Sequence, residues 1–513
     1  NYFTYIIILI CLLFPLIFVQ EIKQINLNNL IKNKILLLFI PYFIISLLPA
    51  SDPDSLDYHL GVAKFWIENE KNLSLNNWLH FRLASYGETL NIFSILFFGG
   101  KMLSFLKVFL LYLVTRIIYD HYKKENNLNI FIYSLLGSPI LIYFISNQKP
   151  QFIGFVILIF CILLLNLKKN EIYLSVLLAY VSSLKFSFIP VVLIIFFFIL
   201  IFKNFNRKKL IISTSFFVLL FWFPILFKNY FFYLNPMSPF FENLLSNSPN
   251  DTIINFSNML RNFSEFGYSR FYQILNIFVP LNFGAITTSF GISIFFFFFF
   301  KFNKNNSTKF LILSLVIILV NFLIGQYSTR YLYLSYFLII FSFIFHEIKF
   351  RKILHLGLVF QAMIVYSLLF FILFQNFPSL VNDQKNKEYL SKKAYQYKEA
   401  QWIKETIKNE NYLSDMRSKY FLDNNHFSIE FAFYTPNEYL NEELLNFIKK
   451  NKIKKISLLV DQNRIYKKFQ HCKKNLVIKS FKVARRNFLA KEKVIKREIF
   501  NYDFENMNCQ INS

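Results

Sequence analysis

Glycine is scarce in this chain, 11 in 513 residues, and the stretch 376–513 contains none. A loop that cradles phosphate needs glycine where backbone amides close on the anion, so that stretch is not expected to bind a nucleotide. Cysteine is rarer still, at four residues. No CxxC pair and no His/Cys spacing suits a zinc or haem site. Cys11 and Cys161 fall in apolar runs, as packing residues do. Cys472 and Cys509 share the C-terminal stretch, where an oxidising compartment would permit a disulfide. Acidic residues are also short, 30 against 56 Lys and Arg, which leaves a net charge of +26.

What the chain has in excess is apolar surface: 55% hydrophobic residues, 20% aromatic, with 69 Phe and 30 Tyr. No soluble domain has an interior for that load. Runs such as YIIILICLLFPLIFV (5–19), 34–50, 152–167, 188–202, 292–300 and 310–325 point to spans, which need roughly 17–25 residues to cross about 30 Å of hydrocarbon. The fold class expected is an α-helical polytopic membrane protein of about 12 spans over 1–375, followed by a small extracytoplasmic α/β domain over 376–513. The bilayer is therefore the first partner. The positive charge collects in short loops (Lys123-Lys124, Lys168-Lys169, 203–209, 301–309, 347–352), which assigns those loops to the cytoplasm. A solvated inner face explains the charge without a nucleic-acid partner. The loops 51–86, 146–151, 228–284 and 327–330, the end of the run before Lys185 and the C-terminal domain then face outward. The short apolar segment 87–100 reads as a juxtamembrane or re-entrant helix. No small-residue cleavage site follows 5–19, so no cleavable leader is expected.

The C-terminal stretch has a globular pattern. Residues 386–410 and 441–451 have helical periodicity, and 453–460 and 476–485 read as strands. The Asn-, Lys-, Ile- and Phe-heavy composition suits an AT-rich bacterial genome, hence an inner membrane.

The densest acidic cluster, SDPDSLDYHL (51–60), stands directly after an apolar run. Asp52, Asp54 and Asp57 lie on the outer side with Tyr58 and His59. They are either a solvated lip or, in the reduced dielectric near lipid, groups suited to general-base or metal-ligand work. Lys185 and Arg330 sit at other outer span ends. Each is an interfacial anchor or a contact for phosphate. Residues 228–241 (KNYFFYLNPMSPFF) open the longest outer loop with a proline-stiffened exit.

Four motifs in order, Asp-Ser-Leu-Asp-Tyr-His-Leu (54–60), Lys185, Asn-Pro-Met-Ser-Pro-Phe (235–240) and Arg-Tyr-Leu (330–332), resemble the GT-C superfamily of polytopic glycosyltransferases. Protein mannosyltransferases and the lipid A aminoarabinose transferase are members. The resemblance covers about 35–345. It implies a sugar arriving on a polyprenyl phosphate, attack at C1 with inversion by an envelope acceptor, and a lipid phosphate leaving. Asp54 would be the catalytic acid of the first loop, supported by Asp57 and His59. Arg330 and Lys185 would bind the donor phosphate, and Tyr58, Asn235 and Tyr331 would line the substrate space. One departure stands out: relatives often carry a second acid near 147–151, where this chain has Asn147-Gln148-Lys149-Pro150-Gln151. No metal or other cofactor is expected as a fixture, although the oxygen donors of DPDSLD (52–57) suit a divalent cation.

Two other readings compete. A flippase of lipid-linked saccharide would place ionisable groups at mid-membrane and carry inverted repeats, whereas the spans hold almost no charge and no repeat is seen. An O-antigen-type polymerase or ligase would rely on arginines of a large outer loop, for which Arg261 and Arg270 are the candidates.

Overall fold

The computed structural model describes residues 34–68, 78–166, 171–202, 205–262, 269–281, 283–301, 308–460, 464–470, 472–483 and 493–502. The run 5–19, Cys11 and Cys509 lie outside the described residues.

Most of the described chain is helical, as apolar runs demand when the backbone must satisfy its own N–H and C=O groups. The helices that matter here are α1 Lys34–Ser46, α2 Leu60–Glu68, α3 Tyr86–Phe98, α4 Met102–Tyr122, α5 Leu128–Leu136, α6 Ile140–Ile145, α7 Gln151–Asn166, α8 Glu171–Leu184, α9 Ile189–Phe202, α10 Arg207–Tyr233, α11 Asp251–Arg261, α12 Arg270–Phe278, α13 Thr308–Leu323, α14 Tyr333–Ser342 and α15 Arg351–Asn376. Three of them, α4, α10 and α15, are long and apolar enough to cross a membrane. Among the shorter apolar helices are α1, α7, α8 and α13. The run at 292–300, expected as a span, is instead a 3-10 helix, Ile292–Phe299. Its eight residues are too few to cross hydrocarbon.

Packing follows the same logic. α8 lies along α10, α13 along α14, and α4 against α1 and α7. Helix α14 is buried along its whole length. Conversely, α10 turns Phe216, Leu219, Phe223, Phe227 and Phe231 outward, and α15 exposes Ile353, Leu356, Phe360 and Phe374. So large an exposed apolar surface suits lipid rather than water.

Beyond α15 the pattern changes to α/β. Helices α16 Asp383–Lys393, α17 Tyr397–Ile407 and α18 Asn437–Lys450 accompany the strands β1 Tyr412–Ser414, β2 His426–Ser428, β3 Lys455–Leu459, β4 Lys473–Val483 and β5 Lys493–Tyr502. The sheet order is β2-β1-β3-β5-β4. β1 runs parallel to β2 and β3, while β5 runs antiparallel to β3 and β4. The periodic stretch 386–410 resolves into two helices because Ala394–Gln396 breaks it, with Gln396 at a positive φ of 56°. Cys472 is disulfide-bonded.

This domain is not a loose appendage. Leu79, Ile253 and Phe256 of the helical body share one apolar core with Leu413, Leu440, Leu444, Ile456 and Phe500. A second patch packs Leu56 and Leu60 with Ala394, Tyr397, Tyr420 and Phe421. A backbone bond crosses the junction as well: Tyr395 N–H donates to Ser51 O at 3.0 Å. The Lys64 ammonium also donates to Tyr420 O at 3.1 Å.

Candidate functional site

The acidic cluster folds as a cap and a wide turn. Asp52 Oδ1 accepts the Ser55 N–H at 3.0 Å, the usual task of an aspartate at a helix start. Ser55–His59 then forms a π-helical turn that runs into α2. Such widened turns recur at functional sites. Here Asp54, Asp57 and Tyr58 line a cavity of about 440 Å³.

Lys149 meets Asp54 from the helical body. Its Nζ stands 2.7 Å from Asp54 Oδ2 and 2.8 Å from the Tyr143 hydroxyl. The same hydroxyl accepts from Arg330 Nη1 at 3.3 Å. The 147–151 loop thus supplies the cation that pairs with Asp54 from the helical body. The loop bearing Lys149 is tightly held. Lys107, fully buried on α4, donates to Asn147 O at 2.6 Å and to Asn147 Oδ1 at 3.0 Å. Ser55 Oγ accepts from Gln148 N–H at 2.8 Å, and Asn91 donates to Gln148 O at 3.0 Å.

From the other side comes the C-terminal domain, for which the sequence leaves open a role in capping the site or docking an acceptor but singles out no residue. Arg417 donates to Asp54 Oδ1 at 2.8 Å and to Asp57 Oδ2 at 3.4 Å. Lys419 pairs with Asp57 Oδ1 and lies over the Trp78 ring, 4.8 Å from its centroid. The loop that carries both is pinned from beneath. Buried Arg497 donates to Asp415 Oδ1 at 2.6 Å and to Glu399 Oε2 at 2.7 Å. Asp415 Oδ2 accepts the Leu459 N–H at 3.0 Å, and Gln396 Oε1 accepts the Arg417 N–H at 3.0 Å.

These contacts set the charge states. Burial pushes the Asp54 carboxyl up, but the charges of Lys149 and Arg417 outweigh it and hold the group well below the usual carboxylate range. Burial alone would lower Lys149; the carboxylates of Asp54 and Asp52, with Tyr143, keep it above the usual lysine value. Lys185 goes the other way. Burial pulls it below the usual lysine value, with Tyr331 opposing and Arg330 adding to the fall. Among the described residues no carboxylate forms an ion pair with Lys185.

The sequence-predicted residues divide accordingly. Asp54, Asp57, Tyr58, Lys185, Arg330 and Tyr331 line the one cavity. His59 and Asn235 do not. His59 is buried behind the wall, and its Nδ1 bonds Glu88 Oε1 at 2.9 Å. Burial lowers its imidazole below the usual value against the pull of Glu88, so it supports the turn as a neutral ring. Asn235 is buried in the proline turn, donating to Glu242 Oε2 at 2.7 Å and to Phe240 O at 3.1 Å. What reaches the cavity from that motif is Phe240. Of the two loop arginines, Arg261 lines the cavity, while Arg270 lies 5.5 Å from the Tyr327 ring. Among the described residues no group of His, Cys, Asp and Glu is disposed to hold a metal ion.

A family model described as the DUF1420 N-terminal domain matches residues 10–389. The chain belongs to that family. The matched stretch holds Asp54, Asp57, Lys149, Lys185 and Arg330, whereas Arg417, Lys419 and Glu430 of this DUF1420 member come from beyond it. No curated protein and no solved structure matches the chain.

Proposed function

We propose that this chain is a membrane glycosyltransferase of GT-C type, moving a sugar from a polyprenyl-phosphate donor to an envelope acceptor. The observation that carries the reading is one cavity lined by two neighbouring carboxylates, Asp54 and Asp57, together with Lys185 and Arg330. In the proposed step an acceptor oxygen forms its bond to C1 as the bond from C1 to the phosphate oxygen breaks. The electron pair leaves on the lipid phosphate, and fixed cations stabilise that charge. Arg330 suits this role because a guanidinium binds phosphate with two parallel donors. Asp54, kept ionised by Lys149 and Arg417, accepts the hydrogen bond of the attacking hydroxyl and takes up its proton as the new bond forms.

The reading includes about twelve spans in a bacterial inner membrane, with basic loops inside and the cavity at the outer face. Its support is the loop charge pattern and the lipid-suited surfaces of α10 and α15.

The test uses the full chain in nanodiscs with polyprenyl phosphates bearing hexose, pentose or aminopentose, and a bacterial envelope extract as the source of acceptor. Release of polyprenyl phosphate is followed in wild type and in Asp54→Asn. Wild type is expected to consume one donor, with the variant slower by roughly a hundredfold or more. Equal rates in the two proteins would remove Asp54 from the chemistry. No turnover of any donor by wild type would remove the transferase.

A further inference from the structure

We infer that the C-terminal domain supplies the acceptor half of this cavity, as a subsite for a saccharide ring bounded by Tyr58, His80, Glu430 and Tyr434. The inference rests on the transferase reading and adds to it the chemical class of the acceptor.

The four side chains come from three separate parts of the chain, and all line the cavity. The Tyr58 and His80 rings are stacked, with centroids 5.0 Å apart and planes inclined by 19°. Stacked one over the other, they offer a single aromatic face, a small platform, rather than two faces side by side. Phe256 holds it from the side, edge-on to His80 at 5.2 Å and to Tyr434 at 5.2 Å. Glu430 reaches the platform from the C-terminal domain. One of its oxygens pairs with the His80 ring, and the other accepts the His80 backbone N–H at 3.4 Å. A half-buried carboxylate and a phenol therefore stand at the rim of an aromatic face.

That combination fits a pyranose. The C–H face of a sugar ring is apolar and lies against aromatic rings, and its equatorial hydroxyls point to the rim, where a few convergent polar groups fix orientation. The charge distribution agrees. On this wall the Glu430 carboxylate lies against the His80 ring, and Asp415 is matched by Arg497. Surplus positive charge lies instead around Lys185, where a phosphate is proposed to bind. Asp57 and Lys419 join the two regions, since Lys419 pairs with Asp57 and acts electrostatically on Glu430. A saccharide hydroxyl held on the platform is thus delivered beside the carboxylates rather than beside the phosphate cations.

The experiment takes the full chain in nanodiscs with the donor that wild type consumes. Maltose, cellobiose, chitobiose and a Ser/Thr-rich peptide are offered as acceptors. Transfer to at least one disaccharide is expected. Glu430→Gln and Tyr434→Phe are each expected to raise the disaccharide KM about tenfold relative to the donor KM, the effect of losing one hydrogen bond to a bound hydroxyl. Tyr434→Phe removes a single oxygen and keeps the ring packed on Phe256, so at least one variant remains folded, which size-exclusion chromatography checks. Transfer to the peptide alone, or donor hydrolysis with no disaccharide accepted, would overturn the saccharide assignment. Unchanged KM ratios in both variants would overturn the subsite. A wild type that consumes no donor removes the transferase reading, and this subsite with it.

Discussion

Arg417 Nη2 lies 2.8 Å from Asp54 Oδ1, a contact between residues 363 positions apart in sequence. Lys149 holds the other oxygen of the same carboxylate at 2.7 Å. Asp54 is therefore clasped between the apolar body and the C-terminal domain, and its geometry depends on both.

The clasp should be measurable as coupling rather than as bulk stability. Arg417 is partly exposed, so Arg417→Ala is expected to cost less than about 1 kcal/mol of unfolding free energy. The double mutant with Asp54→Asn should deviate from additivity by roughly 0.5–1 kcal/mol. A thermal-unfolding cycle over the four proteins checks this; strict additivity would mean that the contact has no energetic weight.

The buried cluster beneath the loop should behave differently. Arg497 is completely buried between Asp415 and Glu399. Arg497→Ala leaves two carboxylates without their cation and is expected to cost about 3–5 kcal/mol. Denaturant unfolding followed by Trp402 fluorescence, close to the Phe481 ring at 5.4 Å, reads it. A loss below about 1 kcal/mol would contradict the buried network.

Acid should loosen the junction. The native carboxyl of Asp54 lies below its unfolded value of about 3.9. Its stabilising contribution is then fully present above that value and is lost as pH falls through the lower native one. Melting temperatures of wild type and Asp54→Asn should differ at pH 6 and converge as the pH drops below about 4. A gap that persists unchanged at pH 3 would show that the carboxylate is not what stabilises the clasp.

Steric closeness gives a fourth expectation. A Cβ on Gly87 would stand 2.5 Å from Pro150 Cγ and 2.7 Å from Leu184 O. Gly87→Ala must push α3 away from the Lys149 loop, at a cost of about 1–3 kcal/mol. Thermal unfolding measures the cost. Wild-type stability in the variant would mean that this packing is slack.

The cavity's inner half was legible because acids, Lys185 and Arg330 punctuate long apolar runs, and charges at such boundaries are few enough to single out. His59 and Asn235 carried the same motif signal, yet both serve the backbone beside the site. Sequence spacing does not tell which side of a turn faces the cavity. The strands β1 and β2 went unseen because three residues carry no period. Arg417, Lys419 and Glu430 could not be found in a domain rich in Lys, where no local pattern distinguishes a surface cation from one that reaches Asp57. The basic residue at 149 gave a hint, since an unexpected lysine near a span end needs an anionic neighbour. Membrane topology was read from composition, which counts apolar runs without measuring them. The helices supply the lengths, and three exceed what a crossing requires.

A carboxylate made early and a guanidinium made late impose an order of manufacture. When Asp54 leaves the ribosome, the residues that clasp it from the far side have not been translated. At about 5–20 residues per second, tens of seconds pass before Arg417 exists. Until then Asp54 can meet only the cations of the helical body, Lys149 and Arg330, and the wall that carries Glu430 is missing. The pocket is thus one of the last features of the molecule to take shape, and an interrupted chain carries its acids without their enclosure.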